Sequence, residues 1–542
     1  MKCSSFEQIP LTEMSNESFS MDSFSSDYQI DKKIQHQQFA DFGSLDDLYL
    51  DVVSPPFQSF RDEITYLGDI ASQDSDLIES NKKNPRVFPS ASLEILKKYG
   101  SRLRRLKSDE INVQRSRISS QKLSTETIIR LAAEEFIQST QRSSKLRVLS
   151  HPYPSAFLDQ SGEDYRAVGL VQNLLSCVEN VSQKQYERAS RILLQCDKMS
   201  SNTGNPVQRL TFYFVEALYE KIDRETGKST PKGLGKTPVD LREASKSPKC
   251  TQIACHKELP LSQITKFAGI QAIVEHVGES RKIHIIDFKI GKGIHSIILM
   301  QALVARQKNP LEHLRITAVG TNSRPTIEET GRHLSSFAQS LNLHFSFNAL
   351  LVDDILDLNE ELFDLDEGET VAVYAAYSLM NWIARPDCLE KLMGLIRALN
   401  PCVMIVSEVE ANCNSPIFVD RFVEALFFYG AFFDSLADCL KDDEENRRAA
   451  ESTSFSSAIR NIVATEGDER KIRHMSIDVW RAYFLRFGFF EVELSMSSLC
   501  QANLLLKNFP CGDSCTFDMK GKSLIIGWKG TPLSSLSAWK FE

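Results

Sequence analysis

The residues best placed to do chemistry are Asp287, Lys289, Gly291 and Gly293, which follow the apolar run Ile283-His284-Ile285-Ile286 and lead through Lys292 and Ile294 to His295. An apolar run that stops at an acid and passes through closely spaced glycines into a helical pattern has the form of the first strand, turn and helix of a nucleotide-binding α/β sheet. Such a turn usually holds a cofactor, because glycines let backbone amides approach a ligand closely. Ser407, Glu408 and Glu410 stand at a later strand end, where these folds place functional groups, with capping and salt bridging as the structural alternative. His284 lies within the strand itself and reads as a core histidine rather than a catalytic one.

Other chemistries find no support in the residue pattern. There is no Gly-x-Ser-x-Gly nucleophile elbow, no HExxH and no kinase loop set. Gly233-Leu234-Gly235-Lys236-Thr237 looks like the end of a phosphate-binding loop, but Thr230 stands where that loop needs a glycine, and a helix precedes it in place of a strand. ATP binding is therefore rejected there. Twelve cysteines scattered over 542 residues form no disulfide framework. Cys250 with Cys255 and His256, and Cys511 with Cys515, each lack a second pair at zinc-finger distance, so no metal is expected.

The elements that would position the candidate turn follow from periodicity. Strands are expected at residues 283–288, 314–319, 343–350, 370–374, 403–408, 490–494 and 523–528, with helices starting near Gly293, Pro325, Pro386, Pro416, Ser454 and Ser476. This alternation implies an α/β fold, a mostly parallel Rossmann-like sheet of seven strands with helices on both faces. Upstream, Ser124-Thr125-Glu126-Thr127 opens a helix through Ile128, Leu131, Ala132 and Phe136. Amphipathic faces at Val168 to Val178, Ile192 to Leu194 and Leu210 to Ile222 give three more, and Leu259 to Val277 another. The expected layout is residues 1–90 as a disordered tail, 91–123 as a basic linker or helix, 124–255 as a mainly helical cap and 256–542 as the α/β core.

Two terminal segments suggest contacts with partners. The tail is poor in contiguous apolar surface, too poor to offset the entropy of ordering it. Within it Phe42, Leu45, Leu48 and Tyr49 alternate with acids, a composition suited to docking a partner and folding on it, or to a plain spacer. Lys97, Lys98, Arg102, Arg104, Arg105 and Lys107 crowd one stretch, readable as a nuclear import signal, a nucleic-acid patch or a solvated helix face. The net charge of −9 opposes indiscriminate binding to a polyanion, so any nucleic-acid contact must be local. No run of about 18 apolar residues is present, and the first seven residues lack the order of a secretory signal; membrane insertion and export are not expected.

The strand order resembles the S-adenosylmethionine-dependent methyltransferase sheet, whose first turn reads acid-x-Gly-x-Gly-x-Gly. Laid on that pattern, Lys289 takes the first glycine position, where a long side chain fills the space of the cofactor's tail. The second strand ends Val319-Gly320-Thr321-Asn322, without the acid that would bind ribose hydroxyls. No cofactor is expected at this degenerate turn.

A second and more extended resemblance covers about residues 165 to 542. Ile283-His284-Ile285-Ile286-Asp287 resembles the Val-His-Ile-Ile-Asp signature of plant GRAS proteins. Arg209-Leu210-Thr211, Leu314 to Gly320, Val406 to Asn412, Arg421 to Leu426, Trp480-Arg481 and the terminal Ser537-Ala538-Trp539 follow in that family's order. The chain departs from many members at Lys292-Gly293-Ile294-His295-Ser296, where they carry Gln-Gly-x-Gln-Trp, and it has no Asp-Glu-Leu-Leu-Ala run, which points to a non-DELLA member. The resemblance implies a nuclear transcriptional regulator, not an enzyme. It would work through other transcription factors and other GRAS chains, as homo- or heterodimers, with DNA reached directly or through a partner. A methyltransferase of degenerate motif and an autonomous DNA binder are the competing readings.

Overall fold

A computed structural model describes residues 123–142, 162–229, 249–306, 309–321 and 324–541. The tail segment with Phe42, Leu45, Leu48 and Tyr49, the basic cluster from Lys97 to Lys107, the Gly233-to-Thr237 loop and Asn322 lie outside the described residues.

Among the described residues six helices precede the sheet: α1 (Thr125–Arg142), α2 (Gly162–Ser182), α3 (Tyr186–Met199), α4 (Pro206–Thr226), α5 (Lys249–Glu258) and α6 (Pro260–Val277). Local chemistry sets their ends. Ser124 Oγ accepts from Thr127 N at 3.2 Å and starts α1. α4 has a complete capping box, with Asn205 and Gln208 satisfying each other's backbone amides, Pro206 at its first turn and Gly227 closing it at φ +71°.

The sheet begins with β1 (Lys282–Asp287), whose Ile283, Ile285 and Ile286 are buried. α7 (Ile294–Val304), β2 (His313–Gly320), α8 (Arg324–Ser340), β3 (Phe345–Leu351), β4 (Thr370–Ala376), α9 (Pro386–Ala398) and β5 (Val403–Val409) complete a five-stranded parallel half. β1 pairs with both β2 and β4, so the order reverses beside it. Right-handed crossovers then put α7 and α8 on one face and α9 on the other. α6 lies over β4, β5 and β9 (Thr531–Phe541), where a Cβ on Gly269 would come within 3.2 Å of Ile405 and 3.3 Å of Leu536, tighter than nearly all real contacts.

The C-terminal half departs from the seven-strand expectation. Among the described residues the sheet has nine strands, adding β6 (Phe489–Val492), β7 (Cys515–Lys520), β8 (Ser523–Trp528) and β9 to the first five. β9 is antiparallel to β5 along one edge and to β8 and β6 in turn along the other. The expected last strand, β8, therefore lies outside β9, and β9 takes the inserted antiparallel place. Its sequence conceals it. Ser534, Ser535 and Ser537 interrupt the apolar pattern, yet their hydroxyls donate to the carbonyls of Glu408 and Val406 and so remain compatible with burial. Pro532 sits where the β8 register shifts, a position at which a missing amide costs little.

Between β5 and β6 the chain makes a helical excursion: α10 (Phe418–Cys439), α11 (Glu444–Ala450), a π turn over Glu451–Phe455, α12 (Ser456–Ala464) and α13 (Ile477–Arg486). α10 packs on α1 and α4, and α12 on α4, so the helical layer draws on both ends of the described chain. α14 (Met496–Asn508) returns to pack on α6. No described helix is long and apolar enough to cross a membrane.

Buried polar groups lock this layer together. Arg209 of α4 donates through Nε to both oxygens of Glu451, at 3.0 and 3.1 Å, and both residues are buried. Arg447 stands 3.6 Å from the same carboxylate. Burial pushes Glu451 up and Arg209 down, each against the ion pair. The pair thus contributes little net stability, but losing one partner is costly because the other is left charged in an apolar seam. Glu451→Ala is expected to lower unfolding stability in urea by about 3–5 kcal/mol. A loss below about 1 kcal/mol would mean that solvent reaches Arg209.

Candidate functional site

β1 delivers Asp287 to the carboxyl end of the sheet, the point at which open α/β sheets hold ligands. Here the chain itself occupies both carboxylate oxygens. Lys289 N donates to Oδ1 at 2.8 Å, and His295 Nε2, from the start of α7, donates to Oδ2 at 2.5 Å. The His295 ring stacks on Tyr374 of β4, with centroids 4.5 Å apart and planes inclined by 22°. Gly291 and Gly293 take φ of +51° and +69°, which a side chain would resist. Thr330 of α8 donates to the Gly291 carbonyl at 2.8 Å, and a Cβ on Gly293 would meet Thr330 and Leu334 at 3.1 Å. The turn is pinned from three sides.

Lys289 points inward. Its Nζ is buried, and its charge acts on Glu408 at the end of β5. Glu408 Oε1 accepts from Leu379 N at 2.9 Å and Met380 N at 3.2 Å, capping the 3-10 turn Leu379–Trp382. Burial outweighs these donors and Lys289 and raises the Glu408 carboxyl to about 8. Its Oε2, the Tyr374 hydroxyl, Ser378 Oγ and Ser407 Oγ are all buried without a hydrogen-bond partner. Tyr377, next to Ser378, holds φ at +52°, a strained value for a bulky residue. It is kept there by its amide donating to Ser407 O at 2.6 Å and its hydroxyl bonding Ser534 at 2.8 Å.

Several sequence candidates resolve into structural roles. Glu410 Oε2 accepts from Ile477 N at 2.7 Å and caps α13, as Glu408 caps its own turn. His284 is fully buried, bonds Thr317 Oγ1 at 2.8 Å and is lowered to about 3 by burial and the Arg315 charge, so it is neutral. His256 is likewise lowered to about 3, by burial and Lys266, and bonds Ser262 Oγ at 3.0 Å. No group of three or more metal-ligating side chains occurs among the described residues. The structure brings Asp287, Lys289, Gly291 and Gly293 together with Glu408.

Sequence reasoning missed His295, Tyr374 and Tyr377. The signal for His295 was the eight-residue step from Asp287, which a turn with two positive-φ glycines closes. No comparable signal marks Tyr374, because only the pairing of β4 with β1 carries it to His295.

Comparison with known proteins places these features in a wider set. Residues 170–540 match the model of the GRAS domain family. The chain is 29% identical over 377 residues to the DELLA protein GAI1 of Vitis vinifera, covering 69% of this chain and 62% of that one. It is 32% identical over 378 residues to the DELLA protein RGL3 of Arabidopsis thaliana, covering 69% of each. The match thus spans less than two thirds of the Vitis relative's length. Among solved structures, SCL7 of Oryza sativa superposes with a TM-score of 0.60 at 28% identity, covering 68% of this chain and 99% of that one.

The Glu408 carboxyl gives a pH test. Its value in the fold, about 8, lies above the 4.5 of a free glutamate. The folded state therefore holds a proton that the unfolded chain releases, and wild-type stability falls as pH rises from the lower value through the upper one. Glu408→Gln keeps an acceptor for the Leu379 and Met380 amides and removes this dependence. The Tm of the variant relative to wild type is expected to rise between about pH 5 and about pH 8.5. A difference that stays constant across that range would overturn the assignment.

Proposed function

Because the chain belongs to the GRAS domain family, we propose that it is a nuclear transcriptional regulator that acts through other transcription factors in plant development, hormone response or root symbiosis. The family match over most of the chain carries this reading. The switch-point chemistry supports the non-enzymatic side of it: the acid of the turn is bonded to Lys289 N and His295, and the buried Lys289 Nζ acts on Glu408.

In this reading the regions divide the work. The acidic-aromatic tail, through Phe42, Leu45, Leu48 and Tyr49, recruits partners and folds on them. The basic cluster Lys97, Lys98, Arg102, Arg104, Arg105 and Lys107 carries the chain into the nucleus or touches DNA locally. Residues 124–542 form the GRAS domain, whose helical layer and sheet pair with other GRAS chains or with a second copy. DNA is reached through a partner or by a limited basic surface, in keeping with the overall negative charge.

Three measurements test this. Calorimetry with S-adenosylmethionine is expected to show no binding heat, and micromolar binding would establish the methyltransferase reading in its place. Alanine at Arg102, Arg104, Arg105 and Lys107 together is expected to move a fluorescent fusion from nucleus to cytoplasm. An intact chain purified from nuclei should carry other transcription regulators, and its capture without any of them would sink the proposal.

A further inference from the structure

Two cysteines distant in sequence meet at the seam between the helical layer and the last hairpin of the sheet. Cys439 is the final residue of α10, and Cys511 lies in the turn between α14 and β7; their Sγ atoms are 2.7 Å apart. Each is partly exposed, so a small solute can reach the pair. A disulfide requires sulfurs about 2.05 Å apart, a step that a small side-chain rotation supplies from this starting distance. We propose that Cys439 and Cys511 are a peroxide-responsive dithiol site, converted by oxidation into an intramolecular disulfide that staples α10 to the turn before β7.

The chemistry balances with a peroxide as oxidant. The Cys511 thiolate attacks one peroxide oxygen, the O–O bond breaks, and a first water leaves after proton uptake, giving Cys511 sulfenic acid. Cys439 Sγ then attacks Cys511 Sγ, the S–O bond breaks, the Cys439 proton goes to the departing oxygen, and a second water leaves. Two thiols are oxidised and one peroxide is reduced. The roles follow from surroundings: the Cys439 thiol donates to Cys511 and holds it below the ordinary thiol range, while Cys439 itself is raised by the same contact. Cys515, four residues on, is buried and pushed up to about 12 by that burial, which leaves it the weaker nucleophile.

The location gives the bond a structural effect. Asp434, on α10 ahead of Cys439, accepts from Trp528 Nε1 at 3.1 Å and pairs with Lys529 at 2.6 Å, while Cys515 faces Trp528 in the β7–β8 ladder. A disulfide here adds a covalent tie to a seam already held by that carboxylate. The cysteines are 72 positions apart, so the closed loop restricts the unfolded chain strongly.

The test uses the full-length chain, reduced, treated with hydrogen peroxide, alkylated and digested without reductant. Trypsin with Asp-N, which cuts before Asp513, separates Cys511 from Cys515. The expected product is a peptide pair joined through Cys439 and Cys511, with Tm raised by several degrees and both changes reversed by dithiothreitol. In Cys439→Ser the sulfenic acid on Cys511 should persist and be trapped by dimedone, while Cys515→Ser should still form the link. Full alkylation of both Cys439 and Cys511 in the wild-type digest, under conditions that oxidise exposed Cys500, would overturn the proposal, as would a link through Cys515.

Discussion

The carboxylate of Asp287 is the constraint on which the head of the sheet depends. A buried ionisable group must be satisfied within the protein, and leaving it unmet costs several kcal/mol. Here the two donors come from the chain just beyond it, the amide of Lys289 and the ring of His295. Satisfying the acid in this way dictates the rest of the turn. The backbone must curl at once, which needs positive φ at Gly291 and Gly293, and α7 must begin where His295 can face back toward β1. The His295 ring then rests on Tyr374, and the inward Lys289 couples to Glu408. A geometry that elsewhere presents an acid and amides to a ligand here has its acid bonded to the Lys289 amide and the His295 ring.

The helical layer is tied to this sheet by directional contacts rather than by apolar area alone. Arg421 is fully buried in α10, donates to the carbonyls of Ile462 and Pro416 and pairs with Glu466. Glu466 is shared with Lys221 of α4. Asp434 joins Thr125 of α1 to Trp528 of β8. Each of these carboxylates serves two or three elements, so a shift of one element would leave charges unpaired in several places. Apolar surfaces tolerate sliding; ion pairs anchored on buried Arg421, Lys221 and Asp434 do not. This is why the excursion from α10 to α12, encoded between two strands, behaves as part of the same body as helices more than two hundred positions earlier.

What was legible in the sequence, and what was not, follows the same physics. The central strands announce themselves because burial on both faces demands near-continuous apolar runs, as in Val403–Val409. The helix start at Pro386 is visible because proline at a first helical position is a local signal, whereas Ser476 marks the start of α13 without capping it, a task that falls to Glu410. β9 was hidden because serine is polar by composition yet can meet its needs through a neighbouring strand's carbonyls, a fact that only pairing reveals. β7 was hidden for the opposite reason: at the sheet edge it is half exposed and mixes Thr516, Asp518 and Lys520 with apolar residues. At the site, Asp287, Lys289 and the glycines were readable from spacing along one turn. Tyr374 and Tyr377 were not, since strand pairing and a strained backbone bring them in.

The unsatisfied atoms at the switch point separate two accounts of this closed turn. Were it only a packing remnant, the cheapest core would be apolar, because well-packed apolar replacements of buried polar clusters are often neutral or stabilising. Yet Glu408 Oε2, Tyr374 Oη, Ser378 Oγ and Ser407 Oγ are gathered without hydrogen-bond partners between β4 and β5, beside a tyrosine held at positive φ. Such costs persist when neighbouring structure over-determines them. Here the determinants are visible. Glu408 is fixed by the amides of the Leu379–Trp382 turn, and Tyr377 by bonds to Ser407 O and Ser534, so the polar cluster is held by the same contacts that order the loop after β4. That loop and the Asp287 turn face each other through the charge of Lys289 on Glu408, while the His295 ring rests on Tyr374 of β4.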